Sequence, residues 1–332
     1  MNIKKIGLTA LAASLVSTSA SFAGEMTASG AASITVENYS GTLRNAGVAY
    51  SMADSVTLAG STELDNGLTV SMSFELDAGA DAGPGSFDDH SVSISSDGLG
   101  TFKFSGNSGS SAVSAIDGTA AGDVFDTFDT KVGGATASTA ETATAAGDAA
   151  MLTSPGGGNT MLYTLPAFVD GLSVSASYTP QGSNAASSSA FGGTYTGVEG
   201  LSISYGVGSN DGSAGTANNA DVTTMKATYA YGPVTLGMSN SDYDVGSSGT
   251  DQEIDSYNIA YTVSDELSLA YGVEEISNSG SAVDPEYSAI VATYTSGGVT
   301  LTAKMEEAEN IDGTTAAAAD QSYWFLGAAF AF

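Results

Sequence analysis

The chain has 332 residues, no cysteine, and 7 Lys+Arg against 37 Asp+Glu, a formal net charge of -30. That balance repels nucleic acid and leaves no basic patch to hold it, and without cysteine there is neither a disulfide framework nor a thiolate metal cluster. Only 13% of residues are charged, about half the ordinary share, yet no apolar run after residue 23 is long enough for a membrane helix. A low-charge chain rich in Gly, Ser, Thr and aromatics, with weak alternation, points to an all-β transmembrane antiparallel barrel. A secreted, acidic, β-rich protein is the other reading of the same composition.

Residues 1–23 read as an export signal: Lys4 and Lys5 form a basic start, Ile6 to Val16 an apolar core, and Ser21-Phe22-Ala23 a small-x-small cleavage site ending at Ala23. Residues 24–332 are then expected to form one barrel domain. Ala32, Ile34 and Val36 alternate with Ser33, Thr35 and Glu37, which predicts a first strand. Tyr39 to Ala49, with Arg44, is expected to be a loop. Ser55–Leu64 and Leu68–Asp77 alternate on both sides of Asp65-Asn66-Gly67, and Asn-Gly supplies the positive-φ positions of a tight hairpin. Ser91–Ser95 and Thr101–Gly106 repeat the hairpin around Ser96 to Gly100, with Phe102 and Phe104 on one face and Lys103 on the other.

Alternation stops from Asn107 to Gly158, where Ala, Gly, Ser, Thr and Asp dominate. A stretch of that length without regular structure is expected to be functional or disordered. It holds Asp117, Asp123, Asp126 and Asp129, with Phe125 and Phe128 among them. Alternation returns at Asn159–Leu165 and continues in hairpins to Gln321–Phe332, for about sixteen strands joined by alternately short turns and long polar loops. Tyr178, Tyr229, Tyr261 and Tyr294 are read as lying near short turns, where an amphipathic ring suits a membrane-water boundary. In the last strand Trp324, Leu326, Ala328, Phe330 and Phe332 form an apolar face. On a soluble protein that edge would aggregate, whereas in a closed barrel it pairs with the first strand.

Signals for an enzyme are poor. His90 is the one histidine, so Ser-His-Asp hydrolysis has little to work with, and no Lys-Ser or Lys-Thr follows Pro155-Gly156-Gly157-Gly158 to make a phosphate loop. No enzymatic activity and no cofactor are expected. Asp123, Asp126 and Asp129, spaced by three, and Asp242 and Asp244, spaced by two, are weighed as Ca²⁺ ligands. They lack the Asp/Gly pattern of a calcium loop and read more simply as solvated acids.

A run of features together resembles a Gram-negative trimeric general porin of the alphaproteobacterial type. These are the signal segment, Thr62 to Leu68 at the first short turn, Gly98-Leu99-Gly100-Thr101-Phe102-Lys103-Phe104-Ser105-Gly106 before the long segment, Tyr163-Thr164-Leu165-Pro166 after it, and the terminal Phe332. The resemblance implies sixteen strands, a homotrimer in the outer membrane in contact with lipid and lipopolysaccharide, and a third extracellular loop, 107–158, folded into the lumen. Asp117, Asp123, Asp126 and Asp129 on that loop, with Glu75 and Lys103 on the wall, are the candidate constriction residues. The family's wall arginines are absent, since Ala53, Ser55 and Leu162 stand where they are expected. Acids crowded in a narrow lumen concentrate cations. The expected function is therefore passive diffusion of small hydrophilic solutes and ions, with a cation preference or weak selectivity. The alternatives are a substrate-specific channel, which needs an inward aromatic run that the sequence does not display, and a barrel that anchors a surface or structural protein.

Overall fold

The computed structural model describes residues 26–40, 47–77, 89–107, 109–129, 158–180, 187–210, 220–245, 251–278, 283–311, 315 and 320–332. The signal segment with Ala23, and Arg44, lie outside the described residues. Sixteen antiparallel strands close into one barrel, each paired with its neighbour in sequence and the last with the first. They are β1 Met26–Ser40, β2 Gly47–Glu63, β3 Thr69–Asp77, β4 His90–Ser96, β5 Gly100–Ser105, β6 Thr160–Thr164, β7 Leu172–Thr179 and β8 Ser188–Val198. They continue as β9 Leu201–Asn210, β10 Ala220–Tyr231, β11 Val234–Val245, β12 Gln252–Thr262, β13 Leu267–Asn278, β14 Glu286–Ser296, β15 Val299–Glu309 and β16 Gln321–Ala331. One short helix, α1 Asp126–Asp129, lies in the long segment between β5 and β6. No helix among the described residues is long and apolar enough to cross a membrane, so crossing falls to the strands.

Period-two patterning and register together fix which face is outside. Ile34 pairs with both Ala328 and Met52, Val56 with Leu76, and Leu301 with both Tyr294 and Ala328, so apolar residues meet apolar residues around the wall. Ile34, Val56, Met72, Phe191, Leu236, Ile259, Ile290 and Leu301 are exposed. An apolar exterior of that extent is what hydrocarbon requires and water forbids. The intervening positions point inward and are small, polar or buried.

The first short turn forms as its sequence predicts. Gly67 has φ 80, its amide donates to the Leu64 carbonyl at 2.8 Å, and the Leu68 amide donates to Asn66 Oδ1 at 3.2 Å. The strands run further toward the long loops than alternation indicates. β2 begins at Gly47, eight residues before Ser55, and β11 ends at Val245 rather than Ser239. Tyr229, Tyr261 and Tyr294 do face outward near short turns, but Tyr178 sits at the opposite end, one residue before β7 stops at Thr179. The short turn precedes β7, with Gly171 at φ 75, so Tyr178 stands at the long-loop end.

Candidate functional site

The long segment between β5 and β6 is described from 109 to 129, and it lies against the inner wall. The neighbouring strands β7 to β13 receive it. The Ala112 amide donates to Ser177 Oγ on β7 at 3.0 Å, the Ala120 amide to Ser239 Oγ on β11 at 2.8 Å, and the Ala121 amide to Ser256 Oγ on β12 at 2.9 Å. Between these hydroxyls the wall has no side chains where the backbone passes. A Cβ on Gly192 of β8 would overlap the Ala112 carbonyl oxygen, and one on Gly206 of β9 would stand 2.7 Å from Ile116 Cδ1. On Gly272 of β13 it would stand 2.9 Å from the Ala121 Cα. Serine supplies acceptors for amides that have left the sheet ladder, and glycine supplies room, so the seat satisfies backbone groups that would otherwise be buried unpaired.

Two inward charges of opposite sign close over this seat. Lys226 Nζ on β10 donates to the Gly118 carbonyl at 2.6 Å and the Thr119 carbonyl at 3.2 Å. Glu274 on β13 is buried, accepts from the Thr119 hydroxyl through Oε1, and accepts from the Phe125 amide through Oε2 at 3.0 Å. Such charge-assisted bonds are roughly twice as strong as neutral ones. Beyond them Phe128 is fully buried with its ring 5.9 Å from that of Tyr287. Tyr39 packs 4.5 Å from Tyr323, whose hydroxyl donates to Glu37 Oε2 at 2.7 Å. Inward aromatics thus exist, on β1, β14 and β16, which sequence reading did not find. They are buried against the segment rather than strung along a bore.

The six predicted constriction residues do not come together. Asp123 has φ 55 and turns back on its own segment: its carboxylate accepts from the Thr119 amide at 2.8 Å and its amide donates to Thr119 Oγ1 at 2.7 Å. Asp117 is half-buried, Asp126 is exposed, and Asp129 ends α1. Among the described residues no group of three or more His, Asp or Glu is placed to hold a metal ion. Glu75 and Lys103 stand on the inner face of a different part of the wall, opposite Thr57 on β2 and opposite Ser93 and Leu162 on β4 and β6. Their inward neighbours are Ser55, Ser71, Ser73, Ser91, Ser93 and Ser95. Residues missed by sequence reading are Ser177, Ser239, Ser256, Lys226, Glu274 and the glycines. Their one local signal was occupancy of inward positions.

Charge is distributed unevenly over the exterior. From β10 to β15 carboxylates meet across the sheet: Asp221 with Asp244, Asp242 with Glu253, Asp255 with Glu275, Glu275 with Glu286, and Glu286 with Glu309. All occupy outward positions in the strand ends that lie toward the long loops. From β16 through β1 to β9 the described outward positions carry one carboxylate, Asp54. Much of the excess negative charge therefore lies on the outer rim. Inside, Lys304 Nζ stands 3.3 Å from Glu306 Oε1, and Lys226 and Glu274 are committed to the segment.

A family model described as Gram-negative porin matches residues 7–273. Among solved structures, the anion-selective porin from Comamonas acidovorans matches with a TM-score of 0.67 at 15% identity, covering 92% of this chain and 99% of that one. A mutant of the Rh. blastica porin matches with a TM-score of 0.64 at 15% identity, covering 92% and 100%. OmpT of Vibrio cholerae gives 0.61 at 15% identity, covering 95% and 99%. At these identities the structures bear on fold. No curated protein matches the chain.

Proposed function

Because the chain belongs to the Gram-negative porin family, it is a channel of the outer membrane and not an enzyme, and we propose that it passes small hydrophilic solutes and ions passively through a bore that weakly prefers cations. The observation that carries this reading is the division of the inner wall. Among the described residues, the segment 109–129 lies against the side from β7 to β14, and the side from β2 to β5 presents a hydroxyl-rich inner face with Glu75, Asp77 and Lys103. The segment 107–158 is the constriction in this reading, supported by the seating of its described part against the wall. Among the described wall residues carboxylates outnumber lysines at inward positions, with Glu37, Glu75, Asp77, Glu274 and Glu306 against Lys103, Lys226 and Lys304. The preference is weak because so many acids lie on the outer rim. There they would stand at the level of the lipopolysaccharide headgroups, above an apolar band in contact with lipid. The channel works as a homotrimer. A sugar-specific channel is disfavoured, because the inward aromatics are buried beneath the segment.

The test is single-channel recording of purified protein in a planar bilayer with a KCl gradient. Stepwise currents with a modest cation-selective reversal potential are expected. A reversal potential favouring chloride would remove the selectivity reading, and a folded barrel without steps would remove the channel reading.

A further inference from the structure

A hollow of about 620 Å³ opens on the outer face of the wall from β12 to β15. The register builds it. Tyr257, Val273, Ser288 and Glu307 lie side by side across the four strands. Val273 and Ser288 are the short members of that row and form a floor. Tyr257 rises beside them, and so does Tyr271, two residues along β13 from Val273 and therefore on the same face. Both tyrosines are exposed. The next row toward the long loops is carboxylate throughout: Asp255, Glu275, Glu286 and Glu309. The next row toward the short turns sets Tyr271 among Ile259, Ile290 and Met305, all exposed. The hollow thus straddles the step where the apolar band gives way to the acidic rim.

We propose that this hollow binds a membrane lipid whose headgroup carries a net positive amine. Charge complementarity selects the headgroup. Adjacent strands lie roughly 4.8 Å apart, and like charges directly opposite one another destabilise a sheet. The described lysines, Lys103, Lys226 and Lys304, all take inward positions, so among the described residues no cation of the chain stands on this outer row. An ammonium group supplies the missing charge and donates N–H bonds to the carboxylates. The ring faces of Tyr257 and Tyr271 attract the same cation from below. The lower half of the hollow selects the rest of the molecule. Its aromatic and aliphatic walls face hydrocarbon, so a soluble amine fills only the upper half, whereas a lipid continues downward with its chains over Ile259, Ile290 and Met305. A phosphate headgroup would bring negative charge against the carboxylate row and be repelled.

The test uses the full chain in detergent micelles, with native mass spectrometry counting the lipids it retains. The probes share dioleoyl chains and differ in headgroup: an ammonium group without phosphate, a phosphocholine, and a phosphoglycerol with and without Ca²⁺. The wild-type chain is expected to hold the ammonium lipid at least tenfold more tightly than either of the others. Ser288→Trp fills the floor without changing any charge, and Glu275→Gln with Glu286→Gln removes the middle of the carboxylate row. Each is expected to weaken retention of the ammonium lipid at least tenfold with barrel circular dichroism unchanged, while Asp54→Asn, on the exposed outer face of β2, leaves it as in wild type. The wild-type comparison covers a variant that fails to fold, since equal retention of the three lipids overturns the proposal without any variant. Wild-type retention by a folded Ser288→Trp chain would also overturn it, reducing the effect to charge attraction with no site. Tighter retention of the phosphoglycerol lipid with Ca²⁺ would overturn it in favour of a divalent bridge.

Discussion

Two parts of the inner wall are built from the same small polar residues and do opposite things with them. On β7 to β13, Ser177, Ser239 and Ser256 each accept a backbone amide, and Gly192, Gly206 and Gly272 leave space that a crossing chain fills. On β2 to β5, Ser55, Ser71, Ser73, Ser91 and Ser93 occupy equivalent inward positions, and none of the described part of the segment is seated on them. A hydroxyl on the first part is a fastening, and on the second it is a lining. The difference comes from glycine. Where Cβ atoms are missing the backbone of 112–121 can approach closely enough for serine to reach its amides, and where they are present it cannot.

The sharpest way to break this contrast is to restore side chains to the seat. Gly192→Val together with Gly272→Val should push Ala112 and Ala121 off the wall, each at about 1–3 kcal/mol of overpacking. We expect a lower thermal midpoint and noisy, altered single-channel conductance, and unchanged conductance with an unchanged midpoint would mean the segment does not rest there. Next comes Glu274→Gln, which leaves the Phe125 amide or the Thr119 hydroxyl without its acceptor, at about 1–3 kcal/mol. Faster hydrogen exchange at the Phe125 amide reads this directly, and protection equal to wild type would argue against the bond. On the lining side, Ser73→Arg should change stability by no more than about 0.5 kcal/mol while moving the reversal potential toward anions. A large loss of stability there would show that the lining is also a seat. The smallest effect is expected for Asp126→Asn. It should slightly reduce cation preference without moving the thermal midpoint, and a strong shift in either would place Asp126 closer to the bore than its exposed position indicates.

The strands were legible wherever one face meets lipid, because that contact enforces alternation. They became illegible past the apolar band. Asp242, Asp244, Glu253, Asp255, Glu275, Glu307 and Glu309 all lie on strand ends where the outward face turns acidic and Tyr243, Ile254, Ile276 and Ala308 are buried on the inward one, so the apolar-out pattern is reversed. The acids that suggested a charged lumen were real, but many of them point outward, and a residue count carries no direction. Of the seat, only the long interruption of alternation was visible. Thr119 and Glu274 are 155 residues apart, and nothing local marks Gly192 as different from the lining serines. The Asp123 carboxylate also caps its own turn through the Thr119 amide, a use that nothing in its sequence neighbourhood reveals.

The seam between β1 and β16 sets a condition on how the molecule comes into being. The Phe332 amide donates to the Gly30 carbonyl at 2.8 Å, and the Gly30 amide donates to the Phe332 carbonyl at 3.2 Å. The barrel's first strand therefore waits for its last. Until β16 arrives, β1 has an open edge lined by apolar residues and the cylinder has no inside. Bringing such distant segments together is an entropic loss that must be met before the pairing repays it, which makes closure slow. The chain must then be kept apart from its own kind until it is finished, and a version lacking its final strand should accumulate as an adhesive, unclosed sheet rather than as a smaller channel.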